Sequence, residues 1–187
     1  LARRCITGFE ALARWNHPQQ GVISASEFIP VAESTGLIVP IGEFVIQTAC
    51  RQLAEWQRDG YESLSLAVNV SAVQFWRGDL YETISRAIEE TGIPAHRLEL
   101  EITETAMMEY PELVSEKIVA LKRLGVSIAL DDFGTGYSSL SNLNRFSVDT
   151  LKVDRSFVQA IPADRSVCVM VSAILNLARS LGLNVVV

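Results

Sequence analysis

The sequence has few of the residues that build thiolate metal sites, disulfide frameworks or membrane spans. Its 187 residues include three cysteines and two histidines. Cys5, Cys50 and Cys168 are far apart and form no Cys-x-x-Cys pair, which argues against a thiolate zinc site and a disulfide framework. The longest apolar run, around residues 167–178, is too short to span a bilayer, and the first residues do not resemble a signal peptide. We therefore expect a cytoplasmic domain, with any membrane anchor in another part of a larger protein.

Positive charge is also scarce. Sixteen Lys and Arg residues against 22 Asp and Glu residues give a net charge of −6. Such a surface does not attract nucleic acid polymers, although a bound metal could reverse the local sign for a small anionic ligand. The 49% hydrophobic content is enough for one sizeable core, and we expect a single domain over residues 1–187.

Short apolar segments rich in Val, Ile and Leu alternate with longer segments of helical period. The predicted strands are residues 6–15, 65–71, 98–103, 126–131, 150–154 and 184–187. The predicted helices are residues 26–34, 42–59, 79–91, 111–124, 138–144 and 165–181. Strands joined by helices need crossover connections, so the pattern predicts a parallel sheet.

Polar residues fall at or near the C-terminal ends of these strands. They are Glu10, Asn69, Glu101, Glu104, Asp131, Asp132, Lys152 and Asp154. Contributions from at least five strands favour a closed (β/α)8 TIM-type barrel over an open doubly wound sheet, whose ligands draw on a few strands. Only about six of the eight strands can be assigned, so we expect the chain to hold part of such a barrel.

Carboxylates and one amide are hard oxygen ligands, which suit Mg²⁺ or Mn²⁺. Asp131 and Asp132 are adjacent like charges, and two ions bridged by Asp131 would relieve their repulsion. Lys152 beside the metals could orient the attacking water, take its proton if the pKa of the lysine is lowered, or stabilise phosphoryl charge. Arg14 can clamp a phosphate with two hydrogen bonds.

A structural interpretation of the same residues stays open at this point. Asn69, Glu101 and Lys152 lie within apolar strands, where they could neutralise one another in a buried network without any metal. Glu104 and Asp154, each taken alone, are more typical of a solvated loop charge or a helix cap. Neither histidine is assigned as a ligand.

Five segments, FEALARW, NVS, EITE, DDFGTGYSSL and LKVDRSFV, resemble in order and spacing the EAL-domain cyclic di-GMP phosphodiesterases. The resemblance runs over nearly the whole chain. It implies a modified (β/α)8 barrel that hydrolyses one phosphodiester bond of cyclic di-GMP to give linear pGpG. It also implies two Mg²⁺ or Mn²⁺ ions, and inhibition by Ca²⁺.

The resemblance also implies a role for each matching residue. Glu10, Asn69, Glu101 and Asp131 correspond to the ligands of one metal, and Asp131 and Asp132 to those of the second. Glu10 is thereby part of the catalytic set.

The remaining matches concern catalysis and substrate. Lys152 corresponds to the residue that contacts or activates the water, and Glu104 to the glutamate that holds the DDFGTG loop. Leu12, Arg14 and Asp154 are assigned to substrate binding.

Family members also carry segments that this sequence does not show. These are an initial strand with a Gln-Pro, an AEGVE-like segment after NVVV whose glutamate serves the metal site, and a last barrel unit. We therefore expect a single EAL-like barrel domain that lacks its first strand and its last βα unit. The resemblance further implies a homodimer through the Asp132–Ser139 loop region and fused sensory or GGDEF-type domains.

Two alternatives accompany the enzyme hypothesis. Catalytically inactive relatives serve as cyclic di-GMP receptors and generally lose one or more ligands, whereas every ligand position visible here is filled. A protein-interaction domain that kept the barrel as a docking surface is the second alternative.

Overall fold

Six parallel strands form the central sheet of the computed structural model, which describes residues 5–134, 146–159 and 165–187. In chain order the sheet strands are β1 (Gly8–Ala11), β4 (Ser65–Asn69), β5 (Leu98–Thr103), β6 (Ser127–Phe133), β7 (Thr150–Val153) and β8 (Asn184–Val186). Each strand pairs in parallel with the strand that precedes it in this order. Parallel strands laid down in chain order, with helices between them, form an arc of a (β/α)8 barrel, as the sequence predicts.

Helices fill the crossovers. They are α1 (Ala25–Thr35), α2 (Ile38–Arg58), α3 (Ala72–Arg77), α4 (Leu80–Thr91), α5 (Glu104–Glu109), α6 (Pro111–Leu124), α7 (Arg155–Gln159) and α8 (Arg165–Ser180), with a 3₁₀ turn at Ala95–Arg97. The helix predicted at residues 138–144 lies outside the described residues. No helix in the described part of the chain is long and apolar enough to cross a membrane.

The structure differs from the predicted elements in three respects. The strand predicted at residues 6–15 is two strands, because the chain leaves the sheet after β1 and forms an antiparallel hairpin of β2 (Trp15–His17) and β3 (Gly21–Ile23). Helix α2 begins at Ile38, four residues before the predicted start, because a proline in the first helical turn gives up no hydrogen bond. Helices α3, α5 and α7 were not predicted, because five or six residues are too few to show a helical period.

The two faces of the sheet differ in polarity. Along β5, Leu98, Leu100 and Ile102 are completely buried in the main hydrophobic cluster, beside apolar residues of α2, α4 and α6. Side chains alternate across a strand, so Glu99, Glu101 and Thr103 face the opposite side. Burial of each apolar side chain contributes roughly 1.5–3 kcal/mol, which makes the register of the polar face hard to shift.

Candidate active site

The sheet register brings the predicted polar residues onto one face. Asn69 lies beside Glu101 across the β4–β5 pair, and Thr103 lies beside Asp131 across the β5–β6 pair. Because paired residues of parallel strands project to the same side, the side chains of successive strands meet on the face that is turned away from the helices.

Lys152 lies at the centre of three carboxylates on this face. Its Nζ is 2.6 Å from Glu101 Oε2, 3.3 Å from Asp131 Oδ1 and 3.8 Å from Glu10 Oε2. The contact with Glu101 is the shortest of the three ion pairs. One ammonium therefore balances part of the charge of three acids.

The electrostatics of this cluster follow from burial and pairing. Burial raises the pKa of Glu101 to about 7, although the hydrogen-bonding contact and charge of Lys152 act against the rise. For Lys152, burial acts to lower the pKa, but Glu101, Asp131 and Glu10 together outweigh burial and raise it. The lysine is therefore a cation at neutral pH in this arrangement, and of the three predicted roles the arrangement favours orientation of water or charge stabilisation over proton abstraction.

Asn69 is tied to Glu10 from the neighbouring strand. Its amide Nδ2 donates a hydrogen bond of 2.7 Å to Glu10 Oε1. The bond uses the amide nitrogen, so the amide oxygen of Asn69 is directed away from Glu10 Oε1. Glu10 thus contacts both Asn69 and Lys152, one with each carboxylate oxygen.

The aspartate pair is accommodated by a β-bulge. Leu130 pairs with Leu151 and Phe133 pairs with Val153, so Asp131 and Asp132 together oppose Lys152 alone. Asp132 has a positive φ of 54°, a left-handed backbone conformation. A bulge changes the direction of side chains that would otherwise alternate. It explains how two adjacent carboxylates lie together at the C-terminal end of one strand. Burial, followed by the charges of Asp131 and Asp154, raises the pKa of Asp132.

Asp154 acts as a cap in this structure. Its Oδ1 accepts hydrogen bonds from the backbone N–H of Ser156, at 2.9 Å, and from the Ser156 hydroxyl, and α7 begins at Arg155. These hydrogen bonds, the hydroxyl first, lower the pKa of Asp154. The cap interpretation left open by the sequence therefore has direct support, and substrate binding by Asp154 stays a prediction.

Glu104 lies on the segment that follows the adjacent strand. It is the first residue of α5, it is buried, and its Oε2 accepts a hydrogen bond of 3.1 Å from the backbone N–H of Gly134. Among the described residues, its second oxygen, Oε1, is buried and has no hydrogen-bond partner. The contact joins the end of β5 to the start of the loop that follows β6.

Leu12 and Arg14 lie on the segment between β1 and β2. Leu12 is exposed, and Arg14 Nη1 donates a hydrogen bond of 2.9 Å to the carbonyl of Ala13. Arg14 lines a largely apolar cavity of about 680 Å³ between the β2–β3 hairpin and α1, together with Trp15 and Phe28. Their predicted substrate contacts stay predictions.

One acidic residue of this face was not predicted. Glu99 Oε2 accepts a hydrogen bond of 2.7 Å from Thr150 Oγ1, and Glu99 lines a cavity of about 350 Å³ together with Glu10, Glu101 and Lys152. Its position two residues before Glu101 in LELEIT is the signal that could have identified it, since residues i and i+2 of a strand share a face.

The donor atoms of the cluster suit a hard divalent cation. Glu10, Glu101 and Asp131 offer carboxylate oxygens, and Asn69 offers an amide oxygen. In the described part of the chain, however, no three Asp, Glu, His or Cys side chains converge as a metal-binding group. The carboxylates instead surround the ammonium of Lys152.

Comparison with known proteins identifies relatives over almost the whole chain. The chain is 42% identical over 179 residues to the bifunctional diguanylate cyclase/cyclic di-GMP phosphodiesterase MucR of Pseudomonas aeruginosa. This alignment covers 96% of this chain and 26% of MucR. The chain is 43% identical over 177 residues to the cyclic di-GMP phosphodiesterase NbdA of the same species, covering 95% of this chain and 23% of NbdA. The chain thus spans about a quarter of the length of each relative.

A solved structure shares the fold closely. The phosphodiesterase of MucR in complex with c-di-GMP superposes with a TM-score of 0.89 at 42% identity, covering 94% of this chain and 71% of that one. The EAL domain family matches residues 1–187. The order of the strands, the acidic face and these similarities together show that the chain belongs to the EAL domain family.

Proposed function

We propose that the domain hydrolyses cyclic di-GMP to linear pGpG with the help of two divalent metal ions. The observation that carries the proposal is the group of Glu10, Asn69, Glu101, Asp131 and Lys152 gathered from five parallel strands on one face of the sheet. The relatives named as cyclic di-GMP phosphodiesterases support the choice of substrate.

The acidic residues and Asn69 form two groups of proposed metal ligands. Glu10, Asn69, Glu101 and Asp131 would hold one Mg²⁺ or Mn²⁺ ion, and Asp131 with Asp132 would hold the second. Bound ions of this kind lower the pKa of water and polarise the phosphate that the water attacks.

Lys152, beside the ions, orients the attacking water or stabilises the charge that develops on the phosphoryl oxygens. Glu104 fixes the start of the loop after β6 through Gly134. Leu12 and Arg14 contact the nucleotide, and Arg14 supplies a planar cation suited to a phosphate. In the net reaction the oxygen of water forms a new bond to phosphorus, one phosphorus–oxygen bond to ribose breaks, and the ribose oxygen receives a proton.

The test is a chromatographic assay of cyclic di-GMP hydrolysis. We expect pGpG with Mg²⁺ or Mn²⁺, none with EDTA, and inhibition by Ca²⁺. Glu10→Gln and Asp131→Asn each remove one negative charge from the proposed metal ligands and are expected to abolish turnover. Full activity in either variant would contradict the proposed metal site.

Two other outcomes separate the alternatives. Cyclic di-GMP that binds at micromolar concentration without any product would make the domain a receptor. Absence of nucleotide binding would favour a protein-interaction role for the barrel.

The proposal also covers the setting of the domain. The length of the relatives and their names support fusion to sensory or cyclase domains. A cytoplasmic location, within a larger protein that carries any membrane anchor, stays a prediction. We propose a homodimer through the Asp132–Ser139 loop region, of which residues 135–139 lie outside the described part of the chain. Light scattering coupled to size exclusion would test the dimer.

A further inference from the structure

The turn that follows Asn69 is closed by a capping box. Asn69 ends β4, and Ser71 is the N-cap of α3. The Ser71 hydroxyl accepts a hydrogen bond of 3.2 Å from the N–H of Val73, and the Ser71 N–H donates one of 3.0 Å to Gln74 Oε1. These two bonds fix the backbone two residues beyond the proposed metal ligand.

A carboxylate from a distant helix completes this turn. Ser71 Oγ donates a hydrogen bond of 2.5 Å to Oε1 of Glu33, which lies on α1, 38 residues earlier in the chain. A serine hydroxyl has a single proton, so the bond to Glu33 orients the oxygen that caps α3. Hydrogen bonds to a charged acceptor are about twice as strong as neutral ones.

A second helix holds the other side of the turn. Gln74 is buried, and its side chain lies against Gly42 of α2, where a Cβ would be 2.0 Å from Gln74 Nε2. A side chain at residue 42 would therefore displace the glutamine that caps Ser71. The turn therefore contacts α1 through the hydrogen bond from Ser71 to Glu33, and α2 through the packing of Gln74 against Gly42.

The position of Asn69 depends on this turn. The Asn69 side chain is exposed and donates to Glu10, while the N–H of Val70 donates 2.9 Å to the carbonyl of Glu101. Little packing surrounds the amide, so its aim toward Glu10 follows from the backbone between residues 69 and 71. A shift of the turn would move the amide relative to Glu10 and Glu101.

We propose that Glu33 is a positioning residue for the site, which acts through Ser71 on the side chain of Asn69. Its effect on catalysis rests on the function proposed above, whereas its effect on Asn69 does not. Outer partners of metal ligands typically change metal affinity or activity 10- to 100-fold, so we expect about a tenfold loss of hydrolysis when Glu33 is removed.

The direct test is the side-chain amide signal of Asn69 in a ¹⁵N–¹H spectrum, identified by its disappearance in Asn69→Ala. We expect Glu33→Ala to shift this signal and Glu33→Gln to restore it, because glutamine keeps an acceptor for the Ser71 hydroxyl. Glu27→Gln is the matched control, since Glu27 is an exposed carboxylate on the same helix. An Asn69 signal that Glu33→Ala leaves unmoved would overturn the proposal.

Ser71 provides an independent route to the same answer. Ser71→Ala removes the hydrogen bond from the other partner and should shift the Asn69 signal, whereas Ser71→Thr keeps the hydroxyl and should not. The test therefore does not depend on the folding of one variant. A Ser71→Ala spectrum that matches the wild type at Asn69 would count against the proposal.

Hydrolysis is measured in parallel. Glu33→Ala is expected to lose about tenfold in the Asn69-containing protein and little more in an Asn69→Ala background, because a residue that acts through another is not additive with it. Equal losses in both backgrounds would overturn the positioning role. A wild type that produces no pGpG would refute the proposed function, while the Asn69 signal would still decide whether Glu33 positions the amide.

Discussion

The backbone N–H of Gly134 donates a hydrogen bond of 3.1 Å to Oε2 of Glu104, 30 residues earlier in the chain. Glu104 opens α5 directly after β5, and Gly134 directly follows β6. The bond therefore connects the C-terminal ends of β5 and β6, immediately beyond Asp131 and Asp132. The ring of Phe157, on α7, approaches Gly134 as well.

Removal of the Glu104 carboxylate should loosen the loop start. In Glu104→Ala the Gly134 N–H loses its acceptor, and we expect about 1–3 kcal/mol lower unfolding free energy, because an unsatisfied donor costs roughly that much. Hydrolysis should fall about 10- to 100-fold, as it does when an outer partner of a metal ligand is removed. Urea denaturation and the pGpG assay measure the two effects.

Glu104→Gln is the matched control. Its amide oxygen can still accept from Gly134, so the glutamine variant should be closer to the wild type than the alanine variant in both measurements. An alanine variant as stable and active as the wild type would show that the Gly134 contact has no part in either property.

Gly134 itself should tolerate no side chain. Its φ of +99° is a left-handed conformation, and a Cβ would lie 2.7 Å from Cε2 of Phe157. Gly134→Ala should therefore cost about 1–2 kcal/mol for the backbone conformation and a further 1–3 kcal/mol for the overlap. The measurement is the urea concentration at the unfolding midpoint, compared between the variant and the wild type at an unchanged m-value.

Gly60 provides the comparison for this prediction. Its φ is +95°, and a Cβ there would meet nothing within 4 Å, so Gly60→Ala should show the backbone cost alone. Phe157→Ala combined with Gly134→Ala should recover the steric part of the loss. Equal destabilisation by Gly60→Ala and Gly134→Ala would exclude a steric role for the ring.

The strands and the acidic face could be predicted because their signals are local. Glu101 lies between Leu100 and Ile102, and Lys152 between Leu151 and Val153, so two-residue periodicity alone places each polar side chain opposite the buried ones. The parallel order follows from the helices between the strands. The fold prediction is confirmed for this reason.

The bulge at Asp131 and Asp132 could not be predicted, because it is a property of the pairing between β6 and β7. It exists since Leu130 and Phe133 pair with Leu151 and Val153, about twenty residues later in the chain. The contact between Glu33 and Ser71 joins residues 38 apart in the chain, and the sequence around neither residue indicates it. Long-range register and side-chain contacts of this kind depend on the assembled sheet.

Lys152 should be needed for turnover as a cation. In the cluster of side chains alone, Glu101, Asp131 and Glu10 outweigh burial and raise the pKa of Lys152. Lys152→Met removes that charge from the phosphoryl site, and we expect turnover at saturating cyclic di-GMP to fall about 100-fold or more. Steady-state kinetics with Mn²⁺ measure the change.

Lys122 supplies the matched control. It forms an ion pair with Asp149 on the outside of the sheet, so Lys122→Met removes a paired lysine without touching the acidic face. Turnover in Lys122→Met should equal that of the wild type. A Lys152→Met enzyme with unchanged turnover would exclude Lys152 from the reaction.

The buried thiol of Cys50 should make stability fall at alkaline pH. Cys50 lies on α2, completely buried, and burial raises its pKa from the ordinary value of 9.0 to about 12. Because the folded pKa exceeds the unfolded one, stability is fully present below about pH 9 and is lost as the pH rises toward 12. At about 1.5 units above the unfolded pKa the loss should be roughly 2 kcal/mol.

The measurement is urea denaturation under reducing conditions at about pH 8 and about pH 10.5, in the wild type and in Cys50→Ala. The comparison isolates the contribution of Cys50, because Cys5, Cys168, the lysines and the tyrosines are common to both proteins. The wild type should lose about 2 kcal/mol more than Cys50→Ala between the two pH values, and equal losses would show that the Cys50 thiol ionises as readily in the folded chain as in the unfolded one.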